Sequence, residues 1–114
     1  MKSVEVVLSP EAQEVFEYLN ENSNNKIERT ILQAIKQKAE LIKINRSYGD
    51  PISKKLIPKE YVKRYGVNNL FRVELPNFWR MLYTLKTEEG QIEIVAFVLD
   101  ICSHKKYNKL FGYN

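Results

Sequence analysis

The chain has 114 residues, the usual length of one domain, so we expect a single domain over residues 1–114. Its composition, 44% hydrophobic and 28% charged, is that of an ordinary globular protein. A lone cysteine, Cys102, excludes an internal disulfide and argues against a cysteine-based metal site. The start lacks a signal-peptide core and no apolar run is long enough to span a bilayer, so we expect a cytoplasmic protein without a membrane partner.

Charge is distributed unevenly along the chain, although the net charge is only +4. Residues 9–22 carry four glutamates and no basic side chain, whereas residues 103–114 carry three lysines and no acidic one. This asymmetry predicts a positive face formed by the C-terminal half. Such a face suits a polyanion or an acidic partner protein.

The first elements in chain order are a strand and two helices. Alternating apolar residues predict a strand over 3–8. Ser9 and Pro10 are typical of an N-cap and the first position of a helix, which the polar segment 20–25 ends. Asn25 then begins a second, longer amphipathic helix. Two successive helices with a polar connection predict a helical hairpin.

A long connection follows over residues 45–68. It contains prolines and glycines, and the one part with helical character is 58–65, where we expect a single helical turn. Connections of this length are uncommon in compact domains and are often functional.

Three strands complete the predicted fold, at 70–75, 79–85 and 91–101. A loop at 76–78 joins the first two, and a hairpin turn at 87–90 joins the last two. The order of strand, helical hairpin and three-stranded meander predicts an α+β fold. We expect an antiparallel β-sheet with the two helices packed on one face.

The register of the first predicted hairpin follows from its apolar pattern. Six apolar and aromatic residues of its two strands are odd-numbered: Phe71, Val73, Leu75, Trp79, Met81 and Tyr83. A three-residue loop places them on one face, because paired positions then sum to an even number. The even-numbered residues share the other face. There Glu74 is expected across from Arg80, with Arg72 nearby.

Candidate catalytic residues lie on this even-numbered face and in the tail that follows the last strand. Arg72, Glu74 and Arg80 of the sheet, with His104 and Tyr107 of the tail, would suit metal-free cleavage of a phosphodiester. Such a reaction needs a base for the ribose 2′-hydroxyl proton and an acid for the leaving 5′-oxygen. It also needs cations directed at the charge that develops on the phosphorane oxygens. Histidine can fill either proton-transfer role.

Lysines in the connection and the tail are candidates for holding an RNA backbone. They are Lys54, Lys55, Lys105 and Lys106. The chain has no Gly-rich phosphate loop and no HExxH or CxxC pattern, so we expect neither a metal nor a small-molecule cofactor.

Each of these residues also has a simpler interpretation. Arg72, Glu74 and Arg80 would then form a cross-strand ion-pair ladder on a solvated face. His104 would be a surface histidine beyond a strand end, and the lysines would only be solvated. Tyr107 would pack the tail onto the sheet.

Two segments of the chain, taken in their order, resemble one known family. The segment NNLFRVELPNFWRMLYTL (68–85) looks like the central hairpin of the RelE/ParE superfamily of toxin–antitoxin toxins. In that family an arginine, an apolar residue and a tyrosine follow a short turn, a pattern that residues 80–83 fill. The segment DICSHKKYNKLFGY (100–113) resembles the family's end, where the last strand runs into a His or Arg and a tail bearing Lys and Tyr. The predicted order of elements agrees over nearly the whole chain.

The resemblance implies a type II toxin that cleaves mRNA without a metal, usually on the ribosome, and that a cognate antitoxin neutralises. It implies that Arg80 stabilises the phosphate, that His104 is a catalytic imidazole, and that Tyr107 stacks on a base. Arg72 falls where a strand cation is common. Glu74 departs from the lysine of the strongly basic members, which points to members that use a carboxylate with a histidine.

The primary hypothesis is an mRNA endoribonuclease, with Glu74 or His104 as general base and the other, or Tyr107, assisting the leaving group. The alternative belongs to another functional class. The ParE branch inhibits DNA gyrase and lacks the nuclease residues. On that alternative the chain is a non-catalytic inhibitor of a protein target, or an inactive homologue that only binds its antitoxin.

Overall fold

A computed structural model describes residues 4–87 and 94–113, which form an α+β fold with a mixed five-stranded sheet. The strands are β1 (Val4–Leu8), β2 (Asp50–Pro51), β3 (Phe71–Glu74), β4 (Arg80–Thr87) and β5 (Ile94–Cys102). The helices are α1 (Pro10–Glu21), α2 (Lys26–Ile44), α3 (Lys59–Tyr65) and α4 (His104–Leu110), with 3-10 turns at Lys54–Leu56 and Pro76–Phe78. None of these helices is both long and apolar enough to cross a membrane.

Most of the predicted elements coincide with observed ones. The predicted first strand, the helical hairpin and the helical turn in the connection are confirmed as β1, α1 with α2, and α3. Apart from Thr87, the predicted hairpin turn at 87–90 lies outside the described residues, as do residues 91–93 of the last predicted strand.

The sheet is mixed, whereas the sequence predicted an antiparallel one. Its strands lie in the order β1-β5-β4-β3-β2, and β1 runs parallel to β5 while the other neighbouring pairs are antiparallel. Parallel neighbours require a long crossover connection, which the helical hairpin and the rest of the chain before β5 supply here. The short strand β2, inside the predicted irregular connection, pairs with β3 at the opposite edge.

Local sequence explains where α1 begins and where α3 ends. The Ser9 hydroxyl accepts a hydrogen bond from the backbone N–H of Ala12 at 3.0 Å, which caps α1 as predicted. The same hydroxyl donates to the backbone oxygen of Leu99 at 2.8 Å and so ties the cap to β5. Gly66 ends α3 with φ of 64°, a left-handed conformation that glycine adopts without strain.

The first core lies between the sheet and the helical hairpin. It packs the apolar stripes of α1 and α2 against odd-numbered residues of β3 and β4, in the register that the sequence predicted. Leu19, Ile35, Met81 and Tyr83 are among its buried members. Burial of these side chains stabilises the fold.

The second core lies on the even-numbered face, which the sequence analysis treated as polar and open. Leu82 lies on that face between Arg80 and Thr84 in sequence and is fully buried. Tyr61 of α3 and Tyr107 of α4 pack with it. The two predicted helices do pack on one face, but α3 and α4 cover part of the other.

A β-bulge in β5 directs two successive side chains toward the second core. Leu82 pairs with Asp100 and Tyr83 pairs with Val98, so Leu99 has no partner across the ladder. Leu99 packs in the second core, and the neighbouring Asp100 is only 6% exposed. The bulge thus places a buried carboxylate on the face that holds α4.

Candidate active site between the meander and the C-terminal helix

The β3–β4 hairpin brings three of the predicted residues together. Glu74 and Arg80 are directly paired, as the register predicted, and Arg72 lies two residues along β3 on the same face. The Nε atom of Arg72 lies 3.3 Å from one Glu74 oxygen, and the Nε atom of Arg80 lies 3.7 Å from the other. Glu74 therefore lies between two guanidinium groups.

The tail that the sequence analysis left without regular structure is a helix, α4. The Ser103 side chain accepts a hydrogen bond from the backbone N–H of Lys106 at 3.4 Å, and this cap is a signal that sequence reasoning missed. His104 and Tyr107 are three residues apart, so they share one face of this helix. That face is directed at the two sheet arginines, as the contacts of both residues show.

His104 contacts Arg80 through its Nδ1 atom, which lies 3.3 Å from Nη1 of that arginine. Arginine can only donate, so this contact is a hydrogen bond when Nδ1 is the unprotonated ring nitrogen. The Nε2 atom lies 3.1 Å from the side-chain amide of Asn108, a residue that sequence reasoning did not single out. Arg80 thus lies near both candidate proton-transfer groups, with Nε toward Glu74 and Nη1 toward His104.

Tyr107 is held tightly beneath the arginines. Its hydroxyl oxygen accepts a hydrogen bond from Arg72 at 3.2 Å, a contact that raises the pKa of that arginine further. The Arg80 guanidinium lies 4.8 Å from the Tyr107 ring centre and the Phe111 ring lies 4.5 Å from it, so the ring is only 4% exposed. A ring covered in this way is not open to a stacked base, so the family role of a stacking aromatic does not fit Tyr107.

The two sheet arginines each have an unsatisfied donor. Their Nε atoms are buried and, among the described residues, have no hydrogen-bond partner, although Glu74 lies within ion-pair distance of both. Nη1 of Arg72 donates to the hydroxyl of Tyr107, and Nη1 of Arg80 donates to the backbone oxygen of Phe78 at 2.7 Å. Buried donors without partners are uncommon, and a role in binding or catalysis is one explanation for them.

The four predicted RNA-binding lysines do not occupy equivalent positions. Lys54 and Lys55 are exposed on the 3-10 turn. The residues on either side of this pair, Ser53 and Leu56, line a depression that Arg72 and Tyr107 also line. Lys105 is exposed at the start of α4. Its neighbour Lys106 instead extends to Asp100, with Nζ 3.1 Å from the carboxylate.

The β3–β4 turn has an unusual backbone next to this site. Asn77 and Phe78 both have left-handed φ values, 60° and 61°. Asparagine tolerates that region, but for a bulky side chain such as phenylalanine it is a genuine outlier that costs on the order of 1–3 kcal/mol. Sequence reasoning set the length of this loop correctly and did not identify Phe78, because conformational strain leaves no signal in the sequence.

Within residues 4–87 and 94–113, no three His, Cys, Asp or Glu side chains group together as a metal site would require. Comparisons with protein-family models, with curated proteins and with solved structures find no match to this chain. Support for a function therefore comes from the geometry of this site and from the resemblance of the two sequence segments.

Proposed function

We propose that the protein is the toxin of a type II toxin–antitoxin system and cleaves mRNA on the ribosome without a metal. One observation carries the proposal: the Nε atoms of two arginines lie 3.3 and 3.7 Å from the Glu74 carboxylate, and Nδ1 of His104 lies 3.3 Å from Nη1 of one of them, Arg80. Cationic donors next to a proton acceptor are what attack of a ribose 2′-hydroxyl on the neighbouring phosphate needs.

In the proposed reaction the 2′-oxygen forms a bond to phosphorus while the bond from phosphorus to the 5′-oxygen breaks. Glu74 or His104 takes the 2′-hydroxyl proton, and the other of these two groups, in its protonated form, gives a proton to the 5′-oxygen as it leaves. Arg72 and Arg80, which both lie within ion-pair distance of Glu74, bind the phosphorane oxygens through their positive charge. The pH–rate profiles of Glu74→Gln and His104→Ala separate the two proton roles, because each variant loses the limb that its own group produces.

The exposed lysines and the tyrosine complete the proposed site. Lys54, Lys55 and Lys105 are exposed and would contact the RNA backbone. Tyr107 positions the arginines through its hydroxyl and its ring. An antitoxin that binds over α4 would cover the site, and this is how the proposed partner would inhibit it.

The test is primer extension on a reporter mRNA in a cell-free translation reaction. Wild-type protein is expected to cut at discrete positions. Arg80→Ala is expected to lower the cleavage rate about 10²- to 10³-fold, the usual cost of removing one preorganised positive donor. Cleavage by Arg80→Ala within a few-fold of wild type would contradict this role, and a parallel reaction on naked RNA shows whether the ribosome is required.

The matched control removes an arginine from the opposite layer. Arg29 of α2 is exposed and donates to the backbone oxygen of Ser23 at 3.1 Å, away from the second core. Arg29→Ala is expected to cut like wild type. If toxicity is instead lost in Arg29→Ala and kept in His104→Ala, the protein is a non-catalytic inhibitor, and a DNA gyrase assay is the next measurement.

A further inference from the structure

Phe78 is the exposed aromatic ring next to the candidate site. It is 74% exposed at the tip of the β3–β4 turn, whereas the family-implied stacking residue, Tyr107, is buried. The Phe78 ring centre lies 6.1 Å from that of His104, with the two rings tilted by 60°. A large apolar side chain is therefore exposed to solvent next to a candidate catalytic group.

The protein holds this ring in place at an energetic cost. The φ of 61° places Phe78 in a region that bulky residues rarely adopt, and it follows Asn77, which is also left-handed. The backbone oxygen of Phe78 accepts the 2.7 Å hydrogen bond from Arg80, so the turn and the arginine fix each other. Strained residues persist where the surrounding structure determines them, and they cluster at ligand clamps and active sites.

We propose that Phe78 is the stacking surface for a single-stranded nucleobase that flanks the cleaved phosphate. This inference rests on the proposed function and names the residue that would take over the base contact that Tyr107 cannot make. Single-stranded RNA is held by aromatic rings under its bases and by cations along its backbone. Phe78 offers the ring, and Arg80 and His104 beside it offer the polar contacts to the phosphate and ribose.

The charge of the surroundings favours a nucleic acid over an apolar protein segment. The backbone oxygen of Phe78 accepts a hydrogen bond from Arg80, and its ring lies near that of His104, the neighbour of the exposed Lys105. Glu74, which pairs with the same Arg80, is one of the two proton-transfer groups of the proposed reaction. An exposed ring with an arginine and a lysine close by fits an anionic strand with planar bases. A protein-docking surface is instead expected to be a broader apolar patch.

Binding of an RNA that cannot be cleaved tests the proposal apart from catalysis. The probe is a fluorescein-labelled single-stranded oligonucleotide with 2′-O-methyl riboses, which keep the bases and phosphates but lack the attacking hydroxyl. Phe78→Gly removes the ring and accepts the left-handed φ without strain, so the turn is retained. It is expected to weaken binding roughly tenfold or more, while Phe78→Tyr stays near wild type. Tyr18→Ala, which removes an exposed ring from α1, is the matched control and is expected to bind like wild type.

An abasic nucleotide placed at successive positions of the probe identifies the stacked base. At one position the missing base should weaken binding to wild type and leave binding to Phe78→Gly unchanged, since the two changes remove the same contact. A tenfold loss in Phe78→Gly without any such position overturns the proposal, because the ring then contacts something other than a base. Equal binding of all probes by wild type and Phe78→Gly overturns it as well.

Cleavage assays on translating ribosomes separate the failure of this inference from that of the proposed function. If wild type and Phe78→Gly cut the reporter mRNA at the same sites and rates, the stacking role alone is overturned. If wild type neither cuts the reporter nor binds the probe at low salt, both proposals are overturned. If Phe78→Gly keeps RNA binding and cleavage but no longer binds an acidic protein inhibitor, the ring docks a protein and not a base.

Discussion

The two faces of the sheet are built from different kinds of side chains. On the helical-hairpin face, α1 and α2 bury a continuous apolar cluster. On the other face, the core under α3 and α4 is interrupted by polar groups, of which Asp100 is the most deeply buried carboxylate in the described part of the chain. The hydroxyl of Tyr61 donates to Asp100 at 2.5 Å, and Lys106 pairs with it at 3.1 Å.

This difference suggests that one face mainly stabilises the fold and that the other positions the candidate site. Apolar contacts are non-directional, whereas a buried carboxylate fixes the orientation of the elements whose side chains donate hydrogen bonds to it. Tyr61 belongs to α3 and Lys106 to α4, so Asp100 joins both helices to the bulge of β5. Burial, followed by the charge of the Asp100 carboxylate, raises the pKa of Tyr61 far above its usual value. Because α4 carries His104 and Tyr107, the contacts of Asp100 hold these two residues next to the sheet arginines.

The largest expected effect on stability comes from the hairpin face. Leu19 is fully buried in the first core, and Leu19→Ala is expected to lower the free energy of unfolding by about 2–5 kcal/mol through lost burial and a cavity. Cleavage per folded molecule should be unchanged, since Leu19 is on the face away from the arginines. Urea denaturation followed by circular dichroism measures the first quantity. A loss of cleavage per folded molecule would mean that the two faces are not separable.

A smaller effect is expected from the lysine that binds Asp100. Lys106→Ala leaves the buried carboxylate with one donor fewer and is expected to lower the free energy of unfolding by about 1–3 kcal/mol. It should also reduce mRNA cleavage by loosening α4. Lys106→Gln, which can still donate to Asp100, should recover part of both losses.

The neighbouring lysine is the control for this comparison. Lys105 is exposed and pairs with no carboxylate within the described ranges, so Lys105→Ala should change the unfolding free energy by less than about 0.5 kcal/mol. It should weaken RNA binding and reduce its salt dependence, as the loss of a phosphate contact does. Equal effects of the two substitutions on stability would show that the ion pair with Asp100 does not hold α4.

The last effect is confined to alkaline pH and concerns Cys102, which lies in the second core. Burial, followed by the charge of Asp100, raises the pKa of this thiol from 9.0 to about 12. The unfolded chain then loses the thiol proton above pH 9 while the folded protein keeps it, so stability present below pH 9 is lost as the pH rises toward 12. Between pH 8 and pH 10 this costs about 1 kcal/mol, a decrease that Cys102→Ala should lack in parallel urea titrations. An identical decrease in both proteins would contradict the burial of the thiol as its cause.

Local patterns predicted much of the fold correctly. Ser9 with Pro10 marked the start of α1, and the parity of the apolar residues gave the pairing of Glu74 with Arg80. These features depend on a few neighbouring residues and on geometry that every helix or hairpin shares. The helix α4 was missed although Ser103 caps it, because a segment of mainly polar and basic residues after a strand resembles a loose tail.

For the candidate site, the sequence by itself determined which side chains share the even-numbered face of β3 and β4 and that a basic tail follows β5. Only the tertiary structure decided that Leu99 bulges, that Asp100 takes Lys106 and not Lys105, and that the Tyr107 ring is covered while Phe78 is exposed. The physical reason is the separation along the chain of the residues that interact. Capping and alternation act between residues close in the chain, whereas burial, ion pairing and strain depend on segments that meet only when the sheet and its helices have packed.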